Sequence, residues 1–118
     1  LDVAGAVRAT DFITASDVRL KRNIATVTNA LDKVTQLRGV TYQWREDAAP
    51  TVGEVNDATL LGLIAQEVQE VVPEAVHTDS DGVKGVNYQS LTGLLIEAIK
   101  NQQGQIEAMR AELDQLQN

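Results

Sequence analysis

Residues 90–118 read SLTGLLIEAIKNQQGQIEAMRAELDQLQN and predict one long helix. Beyond residue 101 its apolar residues narrow to a strip with the seven-residue spacing of a coiled-coil seam. The a positions of this seam are Ile99, Ile106 and Leu113, and the d positions are Leu95, Gln102, Met109 and Leu116. Because so narrow a strip needs a second helix to cover it, we expect the chain to self-associate through it.

The alternative is that this helix packs only on its own domain as an amphipathic helix. Residues 91–99 fit that alternative, because apolar side chains cover nearly all sides of the helix there. Gln102 is a polar d residue that we expect to fix the register, and Gly104 costs about 1 kcal/mol of helix propensity. The mixed d positions leave dimer and trimer open.

Outward from this helix, the pattern predicts further helices and strands, and hence an α+β fold. Residues 75–78 and 83–88 form a hairpin around the Asp79-Ser80-Asp81-Gly82 turn. The other predicted elements are a helix over residues 61–72 ended by Pro73, an acidic loop over 46–59, a strand over 40–45, a helix over 23–37 before Gly39, and one or two short strands within 1–15. The predicted fold is a small antiparallel sheet packed with helices.

Composition narrows the classes of function. The chain has 118 residues and no cysteine, which excludes disulfides, thiolate metal sites and thiol catalysis. No apolar run approaches the roughly 20 residues that span a bilayer. The net charge of −7 argues against nucleic acid as a partner, and no membrane partner or cofactor is predicted. Since Leu1 is not a natural start, we expect a fragment of a longer protein.

The charge is unevenly distributed. Residues 16–45 carry six basic and two acidic residues, whereas residues 46–118 carry three basic and thirteen acidic residues. One interpretation is that the two segments fold together and their charges pair. The other is that the basic segment is gathered to bind an anion.

A serine and a lysine stand out in the basic segment, which begins Ser16-Asp17-Val18-Arg19-Leu20-Lys21-Arg22-Asn23-Ile24. Neighbouring cations favour the neutral lysine that a serine–lysine dyad requires, and Arg19 and Arg22 flank Lys21. Residues five apart lie on opposite faces of a strand and about 140° apart on a helix. Ser16 and Lys21 therefore meet only if the chain bends, with Asp17 as a turn residue, or if two subunits contribute. The alternative is a surface serine before a basic stretch.

Other conspicuous residues favour structural roles. His77 has no second histidine or cysteine for a metal site, so no metal is predicted. Asp79 and Asp81 resemble the start of a calcium loop, but the later ligands are absent, which favours a hairpin turn. We expect the aromatic residues Phe12, Tyr42 and Trp44 to pack in a core or interface.

The motifs together resemble a known family. SDVRLKRNI is followed by a helical pattern, then GVTYQW, then GLIAQEVQEVVPEAVHTDSDGVKGVNYQSLTGLLIEAIK. This series resembles the C-terminal intramolecular chaperone auto-processing domain of phage tail spikes and tail fibres, as in endosialidases. The resemblance covers residues 16–118.

The resemblance implies a homotrimer joined by a C-terminal coiled coil. Such domains promote trimerisation and folding of the upstream fibre and then release themselves by autoproteolysis. The implied catalytic residues are Ser16 as nucleophile and Lys21 as base, with cleavage between Ala15 and Ser16. Residues 1–15 would then end the upstream fibre segment, 16–118 would be the chaperone domain, and 90–118 its long helix. The implied location is a virion fibre or spike precursor made in the bacterial cytoplasm.

The sequence leaves open the supporting residues of the site, the subunit whose bond is attacked, and a second function. Candidate supporting residues are Asp17, Arg19 and Asn23; Asn23 either donates to the oxyanion or caps the following helix. The serine acts on its own Ala15 carbonyl or on that of a neighbouring subunit. A second function remains possible, a trimerisation and fibre-capping module that keeps the fold and never cuts.

Overall fold

The computed structural model describes residues 3–117 and has an α+β fold. The helices are α1 (Ala30–Gln36), α2 (Ala49–Val52), α3 (Ala65–Val71) and α4 (Leu91–Gln117). The strands are β1 (Val40–Tyr42), β2 (Leu60–Gly62), β3 (Val76–Thr78) and β4 (Lys84–Val86). Strand β1 pairs with β2, and β3 pairs with β4 in an antiparallel hairpin.

The chain divides into two compact units. One contains the described residues up to Ala25 together with Thr41–Gly62, and the other contains Thr26–Val40 together with the residues from Leu63 onward. The core lies in the second unit, where α1, α3 and the first turns of α4 meet. Its buried residues are Ala30, Val68, Val72, Ala75, Leu91, Leu94 and Ala98.

Polar contacts fix the packing of the second unit. Asn101 of α4 accepts a hydrogen bond from the backbone N–H of Leu31 at 3.3 Å, at the start of α1. Arg38 donates two hydrogen bonds of 2.9 Å to the Glu67 carboxylate, which lowers the pKa of Glu67. This ion pair joins the basic segment to the acidic remainder, as one interpretation of the charge pattern predicts. Arg19 and Arg45 instead pair with their near neighbours Asp17 and Asp47.

The hairpin and the long helix confirm the sequence predictions. Val76 faces Val86 across the hairpin, and Thr78 faces Lys84. Asp79 Oδ1 accepts hydrogen bonds from two backbone N–H groups of the turn, those of Asp81 (2.8 Å) and Val83 (3.0 Å). Among the described residues of this turn only Gly82 has a positive φ, of 81°, so the loop is longer than a two-residue Asp-Gly turn. Helix α4 extends over 27 residues.

The predicted helix over residues 23–37 is wrong in its first half. Helix α1 begins only at Ala30, and both Asn23 and Asn29 adopt left-handed backbone conformations, with φ of 56° and 55°. Left-handed residues cannot continue a right-handed helix. Ile24 and Val27, which carried the apolar spacing, are 67% and 39% exposed, so no packing supports helix there.

Three other boundaries also differ. The predicted helix over 61–72 begins at Ala65, because Leu60–Gly62 pairs with β1 as a strand; a short apolar run suits either structure. It ends before Pro73 as predicted. The predicted loop over 46–59 contains α2, with Pro50 in its first turn, where a missing N–H costs nothing. Strand β1 ends at Tyr42 rather than at residue 45.

The short N-terminal strands were a wrong prediction for the described residues. Residues 3–15 contain no strand and are exposed. A β-branched sequence forms a strand only when a neighbouring strand completes its hydrogen bonds, and within residues 3–117 no strand pairs with this segment.

The core makes one direct prediction. Leu94→Ala is expected to lower the free energy of unfolding by about 2–5 kcal/mol, because Leu94 is 4% exposed and its truncation leaves a cavity. Leu61→Ala is the matched control, a leucine of β2 outside the seam whose side chain is 82% exposed. Urea unfolding of dilute protein measures both. Equal losses for the two variants would contradict this packing.

Candidate functional site

A tight turn follows Ser16. Residues Val18–Leu20 form a single 3₁₀ turn, and Asp17 caps it by accepting a hydrogen bond from the Arg19 N–H at 2.9 Å. The Lys21 N–H closes the turn on the Val18 carbonyl at 3.1 Å. Short polar residues such as aspartate favour this position because their side chains bond to the backbone two residues on. The chain therefore bends between Ser16 and Lys21, as their spacing requires for contact.

The bend brings the two side chains together. Lys21 Nζ donates a hydrogen bond to Ser16 Oγ at 2.7 Å within a single chain. This distance lies within the range over which a nucleophile and its base exchange a proton. No second subunit is needed to form this contact.

Arg19 is bound to Asp17 by two side-chain hydrogen bonds. Arg19 Nε lies 3.1 Å from Asp17 Oδ1, and Nη2 lies 2.8 Å from Oδ2. These bonds, with that from the Arg19 backbone, hold the pKa of Asp17 below its ordinary value, and they raise the pKa of Arg19. The Asp17 carboxylate compensates the charge of Arg19. Arg19 therefore stabilises the turn and is not an unpaired cation beside Lys21. The sequence signal for this pairing, an arginine two residues after a capping aspartate, was missed.

Asn23 does not cap the following helix. It lies seven positions before the first residue of α1, whose N-cap is Asn29. Its φ of 56° is a conformation that asparagine tolerates better than most residues. A role for Asn23 at the oxyanion stays a prediction.

Solvent reaches the whole site in the single chain. Ser16, Asp17, Arg19, Lys21 and Asn23 are all exposed. Water stabilises the ammonium form of a lysine side chain, whereas a general base needs the neutral amine. In one chain the Ser16 and Lys21 side chains are therefore in hydrogen-bond contact, but both are open to solvent.

The predicted seam residues lie on the exposed side of α4. Leu95, Ile99 and Leu116 are 48%, 65% and 84% exposed. The other seam positions, which are Gln102, Ile106, Met109 and Leu113, are exposed as well. The face of α4 that packs within its own unit is a different one, formed by Leu91, Leu94 and Ala98.

The expectation that the aromatic residues pack in a core is wrong for Phe12 and Trp44, which are 61% and 40% exposed in the single chain; packing in an interface stays a prediction. His77 is exposed on β3 opposite Gly85, and Tyr42 and Trp44 make an edge-to-face ring contact at 5.0 Å. Within residues 3–117 no three His, Asp or Glu side chains converge in a way that could hold a metal ion. None of the helices in that range is both long and apolar enough to cross a membrane.

The turn predicts a pH dependence. Because the folded chain lowers the pKa of Asp17, the ionised carboxylate stabilises the turn fully above its unfolded pKa, and this is lost as pH falls through the folded pKa. The Arg19 amide resonance in NMR is expected to titrate with a midpoint below that of an ordinary aspartate. Asp17→Asn should abolish this titration. A midpoint at or above the ordinary value would contradict the pairing.

Comparison with known proteins identifies the family. A family profile described as the chaperone of endosialidase matches residues 16–77, starting at Ser16. The chain belongs to this family, which is classed among the peptidases.

Long tail fiber proteins are similar over most of the chain. The chain is 38% identical to the long tail fiber protein Gp37 of Enterobacteria phage K3 over 111 residues, and equally to that of Enterobacteria phage T2. It is 32% identical to that of Salmonella phage S16 over 121 residues. These matches cover 91%, 91% and 97% of this chain, but only 9%, 8% and 16% of the three relatives.

Proposed function

We propose that this chain is the C-terminal intramolecular chaperone of a phage tail fibre. It assembles as a homotrimer, promotes trimerisation and folding of the fibre segment upstream, and releases itself by cutting the Ala15–Ser16 bond. Family membership and the tail fiber relatives support the chaperone role. The contact between Lys21 Nζ and Ser16 Oγ at 2.7 Å is the observation that carries the proposed peptidase activity.

The proposed reaction uses Ser16 as nucleophile and Lys21 as base. The neutral Lys21 amine takes the hydroxyl proton while Ser16 Oγ attacks the Ala15 carbonyl carbon. The tetrahedral intermediate expels the Ser16 nitrogen, which receives the proton from Lys21, and an ester joins Ala15 to Oγ. Water then hydrolyses the ester, leaving a carboxylate on Ala15 and a free amine on Ser16. Attack by Ser16 of a neighbouring subunit gives the same products.

Assembly supplies the missing burial in this proposal. Ser16 and Lys21 are exposed to solvent in one chain, so nothing there excludes water from the site. Packing of three chains through the α4 seam removes water from surfaces that a single chain leaves open, which favours the neutral amine. Cleavage of the Ala15–Ser16 bond then occurs only after the trimer has assembled correctly.

The Asp17–Arg19 pair supports this proposal as a positioning device. Its hydrogen bonds hold the turn that places Lys21 on Ser16, and neither residue needs to touch the scissile bond. The match of the family profile from Ser16 onward also supports a domain boundary at this residue.

The test is the mass of the product. The chain expressed with a longer upstream fibre segment is expected to yield a separate fragment whose N-terminal residue is Ser16. A wild-type chain that stays intact as a trimer would instead support the alternative, a trimerisation and capping module that does not cut.

A further inference from the structure

Part of the segment before the scissile bond lines an open cavity of its own unit. Val3, Gly5 and Ala6 line one side of a cavity of about 430 Å³. The other side is formed by Trp44 and by the end of α2 with the residues after it, which are Thr51, Val52 and Glu54. We call the surface formed by Trp44, Thr51, Val52, Gly53 and Glu54 the Trp44 groove. It contacts residues that belong to the upstream product once Ala15–Ser16 is cut.

The closest approach is at Gly53. A Cβ added to Gly53 would lie 3.3 Å from the carbonyl carbon and oxygen of Ala4 and from Gly5 Cα. Such distances are tighter than most contacts of a Cβ, so a side chain at position 53 would require residues 4 and 5 to shift by a few tenths of an ångström. Gly53 also has φ of 89° and Gly5 has φ of 109°. Both the groove and its occupant therefore use glycine where backbone passes backbone.

From this contact we infer that the Trp44 groove is a docking site for residues 3–6, which holds the upstream product after the peptide bond is cut. The inference rests on the proposed function for its biological meaning, because only cleavage turns residues 3–6 into a separate chain. Cutting and release are then two steps. Residues 8–13 between groove and scissile bond are exposed, so breaking the bond at Ala15 leaves the groove contact in place.

A single groove contributes little affinity, because it covers only a few small side chains. In a homotrimer, three grooves would hold the three ends of one fibre, and linked sites exceed the single-site affinity by about 10²–10⁴-fold. Release would then require the loss of three contacts together, so the chaperone stays on the fibre for a time after cutting.

The experiment separates docking from self-cleavage. The full chain carries Ser16→Ala, which removes the proposed nucleophile, and a recognition sequence for a specific protease replaces residues 8–13. After the cut, gel filtration and mass spectrometry measure how much of the N-terminal fragment stays bound. Trp44 is the one tryptophan of the chain, so its emission reports the groove directly.

The expected result is co-elution of the fragment at high concentration, with release and a red shift of Trp44 emission on dilution. Gly53→Ala, which alters the groove, and Gly5→Ala, which alters the occupant, are each expected to release the fragment about tenfold faster. Gly82→Ala is the matched control: it also adds a Cβ at a positive φ, of 81°, but it lies in the hairpin turn, away from Gly53 and residues 3–6.

Two results would overturn the inference. One is immediate loss of the fragment from the otherwise unsubstituted chain at high concentration, and the other is equal release from Gly53→Ala, Gly5→Ala and Gly82→Ala. If Gly53→Ala does not fold, Gly5→Ala still decides the matter, because it changes only the segment that leaves. None of these results depends on whether Ser16 cuts the chain, so they are distinct from failure of the proposed function.

Discussion

Ser16→Ala is expected to leave the chain joined to its upstream fibre, with cleavage at Ala15–Ser16 slowed by about a thousandfold or more. The substitution removes the oxygen that attacks the Ala15 carbonyl and changes little else, because the Ser16 side chain is exposed. A time course by gel and intact mass measures the loss. Ser80→Ala, in the exposed hairpin turn, is the control and should cut at the wild-type rate.

Substitution of Lys21 tests the base in the same assay. Lys21→Ala removes the amine, and Lys21→Arg keeps the charge and reach but cannot give up its proton. Both are expected to block cleavage as fully as Ser16→Ala. The chain offers a close control in Lys84, whose Nζ donates to Thr78 Oγ1 at 2.8 Å. Lys84→Ala should cut normally. Wild-type cleavage in Lys21→Ala would exclude the dyad.

Ile106→Asp is expected to abolish both assembly and cleavage. Ile106 is an a position of the seam, so a homotrimer would bring three carboxylates into its apolar centre, at a cost of several kcal/mol per buried charge. Analytical ultracentrifugation should show one chain of 12.8 kDa in place of three. The rate of cleavage should fall with the fraction of trimer.

Ala111→Asp controls for the added charge. It lies on the same helix at an outer position of the heptad, where an aspartate stays in water. This variant should remain trimeric and cut normally. If Ile106→Asp becomes monomeric and still cuts at the wild-type rate, then assembly does not complete the site.

The sequence predicted most reliably those elements whose signals are local. The hairpin follows from Asp79 and Gly82, and the end of α3 from Pro73, because turn chemistry and a missing N–H act within a few residues. Helix α4, which has 27 residues, follows from the seven-residue spacing of apolar residues between Leu95 and Leu116. The two helices predicted to begin too early share one cause. Residues 24–29 and 60–62 carry apolar spacing compatible with helix, but left-handed asparagines and pairing with β1 decide otherwise.

The candidate site was predictable in part. The spacing of Ser16 and Lys21 predicted that contact requires either a bend or a second subunit, with Asp17 as the turn residue of a bend. The sequence did not predict the ion pair between Arg19 and Asp17, because Arg19 and Arg22 were both interpreted as cations that flank Lys21. The contact of residues 4 and 5 with Gly53 joins segments far apart in the chain, and no local pattern encodes it.

In the proposed mechanism, assembly activates a Ser16–Lys21 dyad that cuts at Ala15–Ser16. Native mass spectrometry during refolding of the chain with its upstream segment tests it most directly, because it resolves oligomer and covalent state together. We expect an intact trimer first, then trimer-bound fragments that begin at Ser16, and no cut monomer before trimer forms. Cleavage in the monomer, cleavage at another bond, or a wild-type trimer that stays uncut would contradict it.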